Sequence, residues 1–372
     1  MKFLQNLRLN KKLLRELDYI TIISATCIVI FGCINIYSAK YKSGTGNYYL
    51  EKQIASMLLG LIVVYFLLVF DYMIIENYAV IIYWAGVLLL IIGDIFGKVT
   101  NGANSWINFG PINLQPSEFA KIGMIIMIAK QLDEMEGKIN NLKNLLILIG
   151  YAAVPMILIV IQPDMGMTMV SFFIVLGIFF CIGLDKKIII GGITSIFILV
   201  VGAWNSPIFQ SYWKGRLTSF LHPEKNASGS GLQLIQSKLA IGSGGFLGRG
   251  FGKGVQFNSV PENHTDFIFA VLAEEWGFIG AFVLLLLYGI LIYRLIKIAK
   301  GSKDIFGTVL CIGFISNLLF SIMQNIGMTM GLMPITGITL PFMSYGGSSL
   351  LTSFIALGLV LNVGMRRKKI NF

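Results

Sequence analysis

The chain has 372 residues, 56% of them hydrophobic and only 13% charged, with a net charge of +11 and a mean hydropathy of +0.78. Charge at about half the level of a soluble domain excludes an ordinary soluble enzyme. The basic residues gather between apolar runs, so the positive charge reflects membrane topology and gives no signal for nucleic acid.

Apolar runs of roughly 20 residues, enough to cross a bilayer, recur from residue 19 almost to the end. A bilayer offers the backbone no partners, so the spans must be helices or a closed barrel. Unbroken runs such as IVVYFLLVF and LLILIGYAAVPMILIVI lack the period-two alternation of barrel strands. The fold class is therefore an all-α polytopic membrane protein. In chain order ten helices are predicted, near 19–39, 53–70, 78–96, 117–131, 144–161, 167–184, 188–204, 268–293, 306–327 and 345–365.

Lys2, Arg8, Lys11, Lys12 and Arg15 precede the first run, which is too long for the core of a cleaved signal. It reads as an uncleaved first span with residues 1–18 inside. The inner connections are then 71–77, 132–143, 185–187, 294–305 and a tail from Arg366 (366–372). All but the first carry Lys or Arg, among them Lys138, Lys143, Lys186, Lys187 and Arg294. This places both termini in the cytoplasm and treats 1–372 as one membrane domain. Cys27, Cys33, Cys181 and Cys311 lie in apolar runs and read as packing residues.

The connection 205–267 lies outside and is too long for a simple link. Its LQLIQSKLAI stretch reads as a short amphipathic helix lying in the interface or re-entering the membrane. The glycines of SGGFLGRGFGKG, residues 243–254, let the backbone approach a phosphate closely. Polar clusters gather on this same face: NGANSWINFGPINLQPSEFAK at 101–121, QPDMG at 162–166, VPENHTDF at 260–267 and GLMPITGITLPFMSYGGSS at 331–349. Capping explains Ser117 in Pro-Ser-Glu, but not Asp164 or Asp266.

Together these clusters, in this order within ten spans, resemble the SEDS family, the shape, elongation, division and sporulation proteins. The start LRLNKKLLRELDY, the compact C-terminus and GLMPITGITLPFMSYGGSSLL look more like its RodA branch than its FtsW branch. Thr339 in GITLPF departs from the pattern, where proline is expected. The resemblance implies peptidoglycan glycosyltransfer on lipid II at the outer membrane face, alongside a class B penicillin-binding protein. An older assignment of the family is lipid II flipping; a scaffold role would leave Asp266 unexplained. The family's essential aspartate in the long outer loop maps onto Asp266.

The chemistry of such a reaction agrees with these residues. A sugar hydroxyl attacks an anomeric carbon as a polyprenyl pyrophosphate leaves, so a base and cations or helix N-termini are needed. An α-linked donor and a β-linked product require one inverting displacement, hence a single base carboxylate. Asp266 is the candidate base; read from spacing alone, Thr265 or Asp266 could equally cap the helix that follows. Glu274 and Glu275 lie about 12 Å deeper at ~1.5 Å per residue, so they are paired or face a wet cavity, Glu274 being a candidate substrate ligand. Trp106 stacks on a sugar or belongs to the aromatic belt. Lys52, Lys214, Arg216, Arg249 and Lys253 are outer-face cations against the positive-inside bias; Lys52, Arg249 and Lys253, with Asp164, complete the candidate substrate set. Glu118 and Lys121, three residues apart, are expected to pair. His264 reads as a loop hydrogen-bonder. The two histidines lie far apart and make no metal ligand set; no cofactor is required, although a divalent cation is compatible with the reaction.

Overall fold

The computed structural model describes residues 11–100, 103–109, 112–203, 211–226 and 230–367. The helices are α1 (Lys11–Arg15), α2 (Tyr19–Tyr41), α3 (Gly46–Val69), α4 (Tyr72–Asn77), α5 (Ala79–Phe96), α6 (Pro116–Glu134), α7 (Leu142–Ile161), α8 (Met165–Ile182) and α9 (Lys186–Ala203). They continue with α10 (Ser211–Leu221), α11 (Ser230–Gly244), α12 (Ile268–Lys300), α13 (Ile305–Met330) and α14 (Gly347–Met365). Helices occupy every predicted segment, within a few residues at most ends. The starts are set by short acidic or amide side chains: Asp18, Asp71, Asn141 and Asp304 each accept a backbone N–H in the first turn of α2, α4, α7 and α13.

Eight of these helices, α2, α3, α5, α7, α8, α12, α13 and α14, are long and apolar enough to cross a membrane. The chain is an integral membrane protein. Helix α6 is not among the eight because it carries Glu118, Lys121 and Lys130, yet most of its residues are buried. It is wrapped by α5, α7 and α13, so its polar groups meet protein and not lipid. Helix α9 is the opposite case: its described residues are exposed on nearly every side, and it packs only lightly on α8. Elsewhere α3 lies along α14, α2 along α12 and α8 along α13.

Two features depart from an all-helical reading. A small antiparallel sheet follows α5, in the order β1 (Lys98–Thr100), β2 (Ala103–Phe109), β3 (Ile112–Leu114). The sequence by itself gives only a polar connection there; in the sheet Ile107 faces Leu114 and is buried. The described part of the outer connection is also ordered. Helix α11, which contains LQLIQSKLAI, buries Leu234 with Val260, Phe267, Met328 and Ile335, and its Ser237 Oγ donates to Thr329 O at 2.8 Å. The long loop is thereby fastened over the end of α13.

Candidate active site

The loop between α13 and α14 organises the site. Ser344 Oγ donates to Thr265 O (2.6 Å) and accepts from Leu340 N (2.8 Å), while Ser344 O accepts from Gln53 Nε2 (3.0 Å). The next amide, Tyr345 N, donates to His264 O at 3.0 Å. From the other side the buried Asn325 of α13 donates through Nδ2 to both Asp266 O (2.8 Å) and Ile338 O (2.7 Å). The peptides around Asp266 are therefore held by bonds to α13 and to the α13–α14 loop, which Gln53 of α3 ties down in turn. The carboxylate reaches Gly337: a Cβ there would stand 3.4 Å from Asp266 Oδ2, and the glycine's φ of +77° is one that side chains avoid.

Helix α12 starts at N-cap Phe267 with no side-chain cap hydrogen bond. The capping alternative for Thr265 and Asp266 is thus removed. Burial raises the Asp266 carboxyl to about 7, with Glu262 and Asp164 adding to the rise and Arg216 opposing it.

Asp164 corrects the sequence reading, because capping does account for it. It is the N-cap of α8, where Oδ1 accepts from Met167 N (3.0 Å) and Oδ2 accepts from Gln115 Nε2 (3.4 Å). It nevertheless belongs to the site. Its carboxyl is raised by burial and lowered by Arg216, the same cation that acts on Asp266. Ser117, which the sequence offered as a cap, is not one: Gln115 is the N-cap of α6, and Ser117 Oγ is buried with no hydrogen-bond partner among the described residues. Arg216 comes from α10. The sequence flagged it as an outer-face cation and did not place it with the aspartates, since nothing local connects residue 216 to 164 or 266.

Below the aspartates the expected pair is formed. Lys121 Nζ lies 3.3 Å from Glu118 Oε2, and both side chains are buried. Thr352 Oγ1 donates to the same Glu118 oxygen at 2.9 Å, and Lys121 donates to Asn317 Oδ1 at 3.3 Å. One turn earlier on α14, Ser348 Oγ donates to Asn113 O (2.7 Å) and accepts from Gln115 N (3.3 Å), tying the small sheet to this corner. Trp106 stands in β2 opposite Lys98, half-buried.

Other candidates fall into a second group, away from Asp266. Helix α12 is broken at Gly277 (φ 63°, ψ −159°), and the glycine-rich loop fills the break. Arg249 N and Gly250 N donate to Glu274 O and Glu275 O, while Phe278 N and Ile279 N donate to Gly245 O and Phe246 O. The fit requires bare backbone, because a Cβ at Gly248 would stand 2.2 Å from Glu275 O and one at Gly277 2.3 Å from Gly248 N. Glu274 is fully buried; Oε1 accepts from Val255 N (2.7 Å) and Gln256 N (2.9 Å), Oε2 from Phe257 N (2.7 Å), and Arg249 Nε lies 3.7 Å away. From α12 it caps the short turn at Gln256–Ser259, so its partners are those of the structural reading and not the candidate substrate. Glu275 accepts from Ser38 Oγ and from Gly252 N (3.0 Å). Glu274 is thus satisfied mainly by backbone N–H groups, whereas Glu275 Oε2 is buried with no hydrogen-bond partner among the described residues. Lys253 is exposed on this loop, and Lys52 lies over the Tyr48 ring at 4.3 Å on the site's flank.

His264 is wedged between Tyr49 and Tyr345, with ring centroids at 4.7 and 5.5 Å. Burial, reinforced by Lys40, pushes its imidazole down to about 4, so it stays neutral at physiological pH. Among the described residues no group of three or more His, Cys, Asp or Glu side chains is arranged to hold a metal ion.

Residues 18–369 match the model of a family described as cell cycle proteins, FTSW_RODA_SPOVE. The chain is 37% identical to stage V sporulation protein E of Bacillus subtilis, covering 93% of this chain and 96% of the relative. It is 33% identical to the peptidoglycan glycosyltransferase MrdB of Escherichia coli, covering 96% and 95%. A solved chain from a peptidoglycan synthase complex that coordinates polymerization and crosslinking matches with a TM-score of 0.82 and 31% identity, covering 94% and 97%. These identities do not single out one branch of the family. With its loop-held aspartate, its broken eighth apolar segment and a match that spans almost the whole chain, the protein belongs to the FtsW/RodA/SpoVE family, the SEDS proteins.

Proposed function

We propose that this protein is a peptidoglycan glycosyltransferase that polymerises lipid II into glycan strands at the outer face of the bacterial cytoplasmic membrane. The observation that carries this reading is the placement of Asp266: a carboxylate not spent on capping, its backbone clamped on both sides, with Asp164 and Arg216 as its charged neighbours. Its carboxyl near about 7 suits a base that must take a proton at neutral pH and release it afterwards. Asp266 accepts the proton of the acceptor hydroxyl. Arg216 faces the pyrophosphate and offsets the charge that builds on it as the glycosidic bond breaks. Inversion at the anomeric carbon needs no covalent nucleophile, and Asp164 then serves to hold Gln115 and Arg216 in place.

In this reading α6 and α9 cross the membrane with the eight apolar helices, both termini are cytoplasmic, and the loop carrying Arg216 and Asp266 is outside. The partner is a class B penicillin-binding protein, which cross-links the strands made here. The break in α12 is a feature a lipid transporter would share, but the glycine loop closes it with backbone bonds. Purified protein in liposomes, given fluorescent lipid II, should yield a ladder of glycan products. Lipid movement across the bilayer without any polymer would overturn the assignment.

A further inference from the structure

Two independent measures place the glycine loop relative to the bilayer. Asp18 and Arg294 form a bidentate pair where α2 begins and α12 nears its end. From Asp18 to Ser38 along α2, and from Arg294 back to Glu275 along α12, is in each case about 30 Å at ~1.5 Å per residue, the thickness of a hydrocarbon core. Ser38 and Glu275 are hydrogen-bonded to each other, so the two measures meet at one level. That level is the outer edge of the hydrocarbon. Gly277 and Phe278 then lie inside it, and so do the loop residues bonded to them.

The side chains of this loop sort by depth. Phe246, whose O accepts from Ile279 N, and the adjacent Leu247 are 66% and 75% exposed. Phe246 stacks on Phe278 at 5.6 Å, and Phe278 on Phe282 at 6.3 Å, so the loop's apolar tip continues the exposed face of the membrane helix. Arg249 and Gly250 are bonded at the Glu274–Glu275 level, and Lys253 follows three residues later. Arg249 spends Nε on Ser243 O and keeps further donors on its guanidinium, which is partly exposed.

We propose that residues 245–253 form an in-plane wedge in the outer leaflet. Phe246 and Leu247 rest among phospholipid acyl chains, and Arg249 and Lys253 bind the headgroup phosphates above them. Apolar tips below and cations above is the arrangement by which interfacial segments hold to a bilayer. The apolar tip is continuous with the lipid-facing stripe of α12, and the paired cations complement phosphate, which an apolar partner helix would not. The wedge also gives the reaction a fixed height. Because it is bonded to both sides of the α12 break, it holds Asp266, nine residues above Glu275, about 13 Å outside the hydrocarbon at ~1.5 Å per residue.

The test uses the full-length protein with its four cysteines replaced by alanine and a single Leu247→Cys carrying an environment-sensitive fluorophore, in phosphatidylethanolamine–phosphatidylglycerol vesicles. A lipid spin label near the top of the acyl chain should remove at least about half of the emission, as for a segment at the headgroup–acyl boundary, while aqueous iodide removes little. A Glu224→Cys control should show the reverse. Quenching at position 247 by iodide alone would overturn the proposal by placing the loop in water. Protection from both quenchers would overturn it by placing the loop against protein. If Leu247→Cys does not fold, Phe246→Cys reports the same depth.

Discussion

Replacing Asp266 by Asn should stop polymerisation and make the folded protein more stable. The side chain keeps its size but cannot accept the hydroxyl proton, so polymerisation should fall by at least ~10²-fold, the lower end for a lost general base. The stability gain follows from the environment of the carboxylate. Burial, Glu262 and Asp164 together disfavour its charged form more than Arg216 favours it. The folded protein therefore binds a proton that the unfolded chain has released, between about pH 4 and about pH 7, and wild-type stability falls as pH rises through that window. The difference between about 7 and the ordinary 3.8, at roughly 1.4 kcal/mol per pH unit, sets a ceiling of about 4 kcal/mol, which the group's partial exposure reduces to about 2 kcal/mol. Asn does not titrate, so its advantage should be small near pH 4 and largest above about pH 7. Thermal unfolding in detergent across that range, paired with the lipid II ladder assay, measures both effects. A variant that still polymerises at near-normal rates, or whose melting temperature never exceeds wild type above neutral pH, would refute the reasoning.

Four further outcomes are expected. Polymerisation by the wild type should rise with pH through about 7, as the Asp266 base loses its proton, and Arg216→Gln should move that limb to higher pH because the cation holding the carboxyl down is gone; a pH–rate profile that does not move would remove Arg216 from the site. Glu118→Gln or Lys121→Met alone should cost ~3–5 kcal/mol by stranding the other buried charge, read as lost melting temperature, with the Glu118→Lys/Lys121→Glu exchange recovering part of it. Gly248→Ala and Gly277→Ala should each abolish the monodisperse peak in size-exclusion chromatography, since their Cβ atoms would meet backbone at 2.2 and 2.3 Å, whereas Gly191→Ala, with open space around it, should not. Single cysteines at Glu224 and Ser302 should label from opposite sides of the membrane, and labelling from one side would contradict the proposed orientation.

Much of this molecule is visible in its sequence because a bilayer is a severe solvent. It demands long apolar helices, and so the segments containing α2, α3, α5, α7, α8, α12, α13 and α14 announce themselves by length and composition. Even α6 could be found, with Glu118 and Lys121 spaced to meet on one helix face. Asp266 was legible as an acidic residue set at the mouth of an apolar helix, but spacing could not separate a base from a cap. That choice belongs to tertiary structure: Asn325 and Ser344, remote in the chain, hold the backbone at Asp266 and Thr265 while α12 starts uncapped. That Arg216 acts electrostatically on both Asp164 and Asp266 was likewise invisible, because residues 164, 216 and 266 come within range of one another only in the folded chain. Glu274 shows the same limit from the other side. Its depth demanded partners, and the sequence left structural pairing and a substrate both open; the segment before α12 supplies three backbone N–H groups. Solvent-imposed features are local and periodic, so they survive in one dimension, whereas which polar groups satisfy one another is decided only when distant segments are packed together.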